Sequence, residues 1–589
     1  MKWNHQTRAV IVVGVFALAL TGFSWRLIHV QVVQHHEFAR HAAEHHLRKD
    51  IIHARRGSIR DARGEVLAEN LPVRTVVADG SLIKNMPAVA EILSRNLVLP
   101  LEEVEGKIQA ERRYVIIKRE VSEEAVLKIR EELILGEHRG VHFENDSIRL
   151  YPNGTMMCHI LGFMNFERQG VLGVEKSMND YLSGRDGYRW IERDRTGKEL
   201  VPYRGLEKAA EDGLTVQLTI DMGLQSIVES EIDTAFANLN PRSITIILAD
   251  PHTGEIRALA NRPQFDPNRP GEANAESQKN RAVLDMVEPG STFKIVVVSA
   301  ALNEATVRPE TLIFCENGNF SYGGRILKDS RPHGMLSVMD VLVKSSNIGS
   351  AKLAMQMGER RFYEYIRRFG FGERTGVELP GEIGGLVHPP SQWDKLSITR
   401  IPMGHAICAT PLQLVMAMSA IANGGKLMMP RIVRRLTDSS GRTALDLGPA
   451  VIREVITPET AHVVQRALQG VTSEGGTARL ARVEGYTVAG KTGTAQRVDP
   501  NGGYTPNKYV VSFLGYGPAE NPALTCMVII DDASTPQGSN YGGTVAAPIF
   551  SQVMGQAMKY LDLVPVLASA TDTVIPRAKV VSSAGRKKP

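Results

Sequence analysis

The sequence predicts a membrane-anchored α+β protein of more than one domain, and three observations carry that expectation. The chain has 589 residues, too many for a single hydrophobic core. It opens on an apolar run, Ala9 to Trp25. In its second half, a strand pair and a later group of three strands enclose a long helical region. Composition is ordinary for a globular protein, with 43% apolar and 23% charged residues and a formal net charge of +5. So small a charge, without a basic face interleaved with aromatics, argues against a nucleic-acid partner.

Taken in order, Lys2 and Arg8 precede the apolar run, which at about 1.5 Å per residue is near the lower limit for crossing a bilayer. Arg26 can snorkel at its end, and Leu27, Ile28, Val30, Val32 and Val33 continue it outward. The expectation is a cytoplasmic segment 1–8, a single transmembrane anchor 9–30 and an exported remainder, because positive charge flanks the N-terminal side. The competing reading is a signal peptide cleaved at Ala17-Leu18-Ala19; hydrophobicity continuing past that site favours the anchor. A polar helix follows with His35, His36, His41, His45 and His46. His41 and His45 are four apart, a spacing open to a metal, but a solvated helix face is the expected reading.

Ala54 to Asp61 and Gly64 to Ala68 predict strand, turn and strand, and Leu101 to Glu137 predicts a charged helical insertion, all within a domain spanning 31–212. Cys158, Cys315, Cys408 and Cys526 are far apart and form no C-x-x-C pair, which argues against a metal site or redox motif. A second domain is expected over 213–561. Leu224, Ile227, Val228, Ile232, Ala235, Phe236 and Leu239 keep helical spacing; Ile244 to Leu248 and Ile256 to Ala260 read as paired strands. Three more strands are expected at Lys491 (entered from Tyr486 to Ala489), Tyr509 to Leu514 and Leu524 to Ile530, with the loop Asn501-Gly502-Gly503 before the second and a closing helix from Thr544 to Leu561. The tail, 562–589, has a disordered composition.

Three short motifs carry chemistry. Ser291-Thr292-Phe293-Lys294 follows the breakers Pro289 and Gly290 and opens the apolar helix Ile295 to Leu302. Residues three apart share a helix face, so the Ser291 hydroxyl and the Lys294 amine can meet, and apolar surroundings favour a neutral, proton-accepting lysine. Alone, Ser-x-x-Lys is weak evidence, equally readable as an N-cap and a surface lysine. Lys344-Ser345-Ser346-Asn347 lies between the helical stretches Leu336 to Val343 and Ile348 to Met355, where it can aim a hydroxyl and a carboxamide into a cleft. Gly490 to Ala495 offers Lys491, Thr492 and Thr494 to hold a carboxylate, with Gly493 leaving room for a substrate chain.

The trio Ser291-x-x-Lys294, Ser345-Ser346-Asn347 and Lys491-Thr492-Gly493 resembles that of the penicillin-binding proteins and β-lactamases, with Ser346 where the familiar second triplet has aspartate. Asp250 to Ile256, Asn280 to Val283, Glu288 to Lys294 and Ala489 to Gln496 are similar to the transpeptidase domain of class B penicillin-binding proteins. Lys344 to Ala351, Phe371 to Gly376, Leu379 to Glu382 and Thr410 to Leu414 resemble the division-specific, FtsI-type branch, with the elongation branch as nearest rival. The resemblance implies a single N-terminal transmembrane helix, an elongated pedestal (dimerisation-type) domain, and a transpeptidase domain with a five-stranded antiparallel sheet flanked by helices. No acidic motif of a glycosyltransferase stands between membrane and transpeptidase, so a monofunctional protein is expected.

The activity implied is D,D-transpeptidation of peptidoglycan stem peptides, with β-lactams as inhibitors and no metal or organic cofactor. Ser291 would be the nucleophile, Lys294 its base, and Ser345 and Lys491 a proton relay. Asn347 would hold the stem's amide, Thr492 and Thr494 its terminal carboxylate, and the N–H groups of Ser291 and Thr494 the oxyanion. Implied partners are a septal polytopic glycosyltransferase, other divisome proteins and the inner membrane, with the catalytic domain periplasmic. Met403-Gly404-His405-Ala406 departs from the family's glycine-richer stretch; His405 is open to a role on the acceptor side of the cleft, but packing is the expected reading. A β-lactamase would need an extra water-activating group, and a non-catalytic scaffold would not need the intact trio.

Overall fold

The computed structural model describes residues 5–37, 47–109, 111–192, 207–499, 502–535 and 540–565. The expectations for His41, His45, His46, Asn501 and the tail beyond Pro565 fall outside them. The chain divides into two compact units, one of residues 1–56 and 183–213, the other of 57–182 and 214–589.

In the first unit, helix α1 (His5–Ile28) runs on into a π-helical turn, His29–Val33. Its residues Arg8–Val33 are long and apolar enough to cross a membrane, and Val10, Phe16, Leu18, Phe23 and Trp25 lie exposed on its surface, as an anchor for a lipid phase requires. Strands Leu47–Ile52, Gly187–Glu192 and Glu207–Lys208 form a three-stranded antiparallel sheet.

The second unit holds two large sheets. One orders seven strands from distant parts of the chain: Thr443–Asp446, Val433–Thr437, Thr215–Leu218, Ile59–Arg60, Val66–Ala78 and Val115–Val121, with Val141–Leu150 also on Val66–Ala78. The strand-turn-strand expected at residues 54–68 is present, its second strand running on to Ala78. The expected helical insertion at 101–137 is corrected. Helices Leu101–Lys107 and Glu123–Leu135 flank a strand, Val115–Val121, because its β-branched run Val115-Ile116-Ile117 pairs with Val66–Ala78 and buries Ile117.

The other sheet is five-stranded and antiparallel, built from β1 (Ser243–Ala249), β2 (Ile256–Arg262), β3 (Ala489–Val498), β4 (Tyr504–Gly517) and β5 (Leu524–Asp531) in the spatial order β2-β1-β5-β4-β3. Helices α2 (Met222–Leu239), α3 (Lys294–Asn303), α4 (Val338–Val343), α5 (Asn347–Met357), α6 (Pro411–Ala422) and α7 (Gly542–Tyr560) belong to the same unit. Alternation along the strands sends side chains to two cores. Ile244, Ile246, Leu248, Val528 and Ile530 join α2 and α7, while Ile247, Ala249, Met527 and Ile529 join α3 and α6. Burial on both faces explains why these strands read as continuous apolar runs. Each such aliphatic side chain contributes about 1.5–3 kcal/mol.

Two boundaries differ from the sequence reading. β3 begins at Ala489, because the backbone of Thr487 and Val488 is used elsewhere: their carbonyls accept from the Ala519 N–H (3.0 Å) and the Thr472 hydroxyl (2.7 Å). Lys491 therefore sits inside the strand. Leu336 belongs to a short strand, and α4 starts at Val338 because the Ser337 hydroxyl accepts from the Asp340 N–H at 3.0 Å. All four cysteines are free thiols.

Candidate active site

The turn carrying Ser291 is a 3-10 turn, Gly290–Phe293, that feeds directly into α3. It is clamped from both sides. The Gly290 N–H donates to the Gly404 carbonyl at 3.1 Å, the Thr292 hydroxyl to the Pro289 carbonyl at 2.7 Å, and the Phe293 ring meets Phe371 edge-on with centroids 5.0 Å apart. Gly404, at φ +81°, is needed for this approach, since a Cβ there would lie 2.1 Å from the Gly290 oxygen. A Cβ on Gly290 would lie 2.9 Å from the Thr494 oxygen and 3.4 Å from its nitrogen. The turn that carries Ser291 is thus packed against the backbone of β3 at Thr494.

α3 is buried from Lys294 to Ala301, and the Lys294 amine goes with it, fully inaccessible. Its Nζ lies 2.6 Å from the Ser345 carbonyl oxygen and 2.6 Å from Asn347 Oδ1, with Ser291 Oγ and Ser345 Oγ each at 3.1 Å. A neutral amine has two N–H groups and one lone pair. The carbonyl and the carboxamide oxygen can only accept, so they take both N–H groups and leave the lone pair for a hydroxyl proton. Lys491 Nζ, also fully buried, donates to Ser345 Oγ at 2.9 Å. Ser291, Lys294, Ser345 and Lys491 therefore form one continuous hydrogen-bonded chain.

Burial is the electrostatic cause of the amines' state. Loss of hydration pushes Lys294 down to about 7, against an opposing pull from the Asp329 carboxylate. Lys491 is held well below the ordinary lysine range by burial first and by the neighbouring Lys294 second. Both amines are thus easier to deprotonate than a lysine in water.

Ser345 has the left-handed backbone, φ +61°, that lets its carbonyl and hydroxyl both face Lys294. Ser346 turns away and caps α5, accepting from the Gly349 N–H at 2.9 Å. Asn347 uses its Nδ2 on the Lys328 carbonyl at 2.8 Å. Asp329, which the sequence reading did not single out, receives the N–H groups of Asn347 (2.5 Å) and Ile348 (3.0 Å) and the Ser346 hydroxyl (2.7 Å). Its only signal in the sequence is the turn composition Asp329-Ser330-Arg331-Pro332.

On β3, Thr492 Oγ1 is 3.4 Å from Lys491 Nζ, and the Thr494 hydroxyl donates to the Gly493 carbonyl at 2.9 Å while accepting from the Gly542 N–H at 3.2 Å. At Gly493 a Cβ would lie 2.3 Å from Ser512 Oγ, 3.0 Å from Thr292 Cγ2 and 3.1 Å from the Pro289 oxygen, so its missing side chain admits the Ser291 turn against β3.

His405 does more than fill space. Its Nδ1 faces the nearly buried Glu288 carboxylate at 2.9 Å, which also accepts from the Ala406 N–H (2.9 Å) and the Tyr504 hydroxyl (3.0 Å). Burial raises Glu288, but these partners together hold it below the ordinary carboxylate range.

Comparison with known proteins gives the family. Residues 244–555 match the penicillin binding protein transpeptidase domain, and residues 51–218 match the penicillin-binding protein dimerisation domain. The chain belongs to the class B penicillin-binding transpeptidase family, whose members are serine acyltransferases. It is 34% identical over 550 residues to Stage V sporulation protein D of Bacillus subtilis, covering 92% of this chain and 83% of that one. It is 31% identical over 566 residues to peptidoglycan D,D-transpeptidase FtsI of Escherichia coli K12, covering 95% and 92%. Penicillin binding protein 3 of Mycobacterium tuberculosis, solved with aztreonam, superposes with a TM-score of 0.69 at 28% identity, covering 88% of this chain and 98% of that one.

Proposed function

We propose that this protein is a septal peptidoglycan D,D-transpeptidase that crosslinks stem peptides through an acyl-enzyme on Ser291 and is acylated there by β-lactams. The observation that carries this reading is the buried chain Ser291–Lys294–Ser345–Lys491, in which the base's lone pair is left for the nucleophile's proton. Ser291 Oγ attacks the penultimate carbonyl of a stem ending in D-Ala-D-Ala, and Lys294 takes its proton. Charge on the tetrahedral oxygen falls to the N–H groups of Ser291 and Thr494; losing one such donor costs about 3 kcal/mol. Ser345 and Lys491 return the proton to the departing D-Ala, and an amine from a neighbouring stem resolves the acyl-enzyme. Asn347 holds the stem's amide through the second hydrogen of Nδ2, and Thr492 holds the terminal carboxylate together with Thr494, whose hydroxyl turns its one hydrogen from the Gly493 carbonyl to the substrate.

The reading extends to topology and partners. Residues 1–8 are cytoplasmic, 9–30 cross the inner membrane, 31–212 form the pedestal and 213–561 the periplasmic transpeptidase domain, with a polytopic septal glycosyltransferase and other divisome proteins as partners. Support comes from the one helix among the described residues that is long and apolar enough to cross a membrane, with Lys2 and Arg8 on its N-terminal flank in sequence, and from the FtsI-like stretches Lys344 to Ala351 and Thr410 to Leu414. A sporulation role is the second reading, favoured by the 34% identity to Stage V sporulation protein D. An elongation role is the further alternative, and cellular localisation separates it from division.

The test is intact-mass analysis after brief exposure to a penicillin, beside Ser291→Ala. A long-lived adduct on the wild type alone is expected. Rapid loss of the adduct with hydrolysed drug would mean a β-lactamase, and no adduct on folded protein a scaffold. A fluorescent fusion at mid-cell in growing cells would favour division over elongation, and one appearing only in sporulating cells would overturn the septal role in growth.

A further inference from the structure

Lys294 receives its acceptors from a turn that one carboxylate holds in place. The Ser345 carbonyl and Asn347 Oδ1, each 2.6 Å from Lys294 Nζ, belong to the link between α4 and α5. That link is pinned from outside by Asp329, which follows the strand Arg325–Lys328 and lies 18 residues before Asn347. One Asp329 oxygen takes the N–H groups of Asn347 and Ile348, and the other takes the Ser346 hydroxyl. The preceding residue supplies the carbonyl that fixes Asn347 Nδ2. Lys294 is faced by Ser291 from the nucleophile turn, Ser345 and Asn347 from this link, Lys491 from β3 through the shared Ser345 hydroxyl, and Asp329 behind the link. Among the described residues, Asp329 supplies the negative charge that acts on Lys294; the other charged neighbour is a second amine.

We propose that Asp329 is a positioning residue that sets the pH range of Ser291 acylation, its hydrogen bonds holding the turn that receives Lys294 and its charge keeping a proton available on that amine. The inference rests on Lys294 being the proton acceptor of Ser291. Two buried amines side by side repel a shared proton, and without a carboxylate nearby the first would release it too readily to pass it on to a leaving group. A carboxylate in direct contact would hold that proton too tightly. Asp329 acts through the link instead: it binds the N–H of Asn347, whose Oδ1 meets Lys294, and the hydroxyl of Ser346, the residue next to Ser345.

The test uses the detergent-solubilised full chain and the rate of adduct formation with a penicillin as a function of pH. Asp329→Asn keeps an acceptor oxygen for the two backbone N–H groups and removes the charge. The opposite charge stabilises the protonated amine, so removing it moves the rising limb of the rate profile to lower pH, by about one unit. Asp329→Glu keeps the charge and displaces the hydrogen bonds, so it slows acylation and leaves the limb in place. A limb that moves no further in Asp329→Asn than in Asp329→Glu overturns the proposal and leaves a purely structural cap. If Asp329→Asn does not fold, a limb that shifts in Asp329→Glu by itself overturns it. Failure of the underlying reading is separate: an adduct that persists in Ser291→Ala, or a wild-type rate without a rising limb.

Discussion

Arg149 with Glu175, and Lys294 with Lys491, are both withdrawn from water, yet they meet opposite electrostatic conditions. The first pair neutralises itself: Arg149 Nε donates to Glu175 at 2.7 Å, its Nη1 reaches the Gly57 carbonyl and Asn70, and the side chains are 3% and 0% exposed. The second pair consists of two cations-in-waiting with hydroxyls and carbonyls between them and, among the described residues, no carboxylate hydrogen-bonded to either amine. Burial with a matched counter-charge fixes a framework, because neither partner can leave without stranding the other. Burial without one makes a group that changes its charge readily, which is what a proton relay requires.

Substitutions can break or sharpen that contrast. The largest effect is expected at the unmatched pair. Ser291→Ala abolishes the penicillin adduct, and Lys294→Met slows its formation by about 10²–10⁴-fold, the usual worth of a positioned base. Because Met removes a buried amine and leaves no charge behind, the melting temperature of Lys294→Met holds or rises. Glu175→Ala should do the reverse. It strands the Arg149 cation and costs about 3–5 kcal/mol in a chemical denaturation curve, while the fraction still folded acylates at the wild-type rate. Gly493→Ala comes next, at about 1–3 kcal/mol and with slower acylation, since the new methyl displaces the Ser291 turn from β3. The smallest change is expected at the exposed pair Lys128 and Glu124, 62% and 80% exposed on the helix Glu123–Leu135. Lys128→Gln should move stability by less than about 0.5 kcal/mol, which sets the scale for matched charges left in water.

The parts of this fold that could be read from the sequence are those whose signal is local. The apolar anchor, the α2 spacing and the all-apolar runs of β1 and β5 each carry their own periodicity. The three motifs were legible as chemistry because hydroxyl, amine and carboxamide recur at short fixed spacings. What escaped depends on partners far along the chain. The pairing of Ile59 with Val216 and of Val433 with Leu218 joins segments that no local pattern connects. Val115–Val121 lies between two strongly charged helices, and only its partner strand decides its state. Asp329 reads as a turn residue, because nothing nearby announces that its carboxylate will cap a helix 18 residues on. The Glu288–His405 pair was hidden in the same way, its members separated by 117 residues.

The central claim is that burial, opposed only at a distance by Asp329, leaves Lys294 able to take a proton at neutral pH. The most direct test is the acylation rate of the wild-type chain by a penicillin between about pH 5 and pH 9. With Lys294 pushed down to about 7, the rate should rise through that value and then level off as the amine becomes fully neutral. A rate still climbing towards the ordinary lysine range of about 10.4, or one independent of pH, would contradict the account.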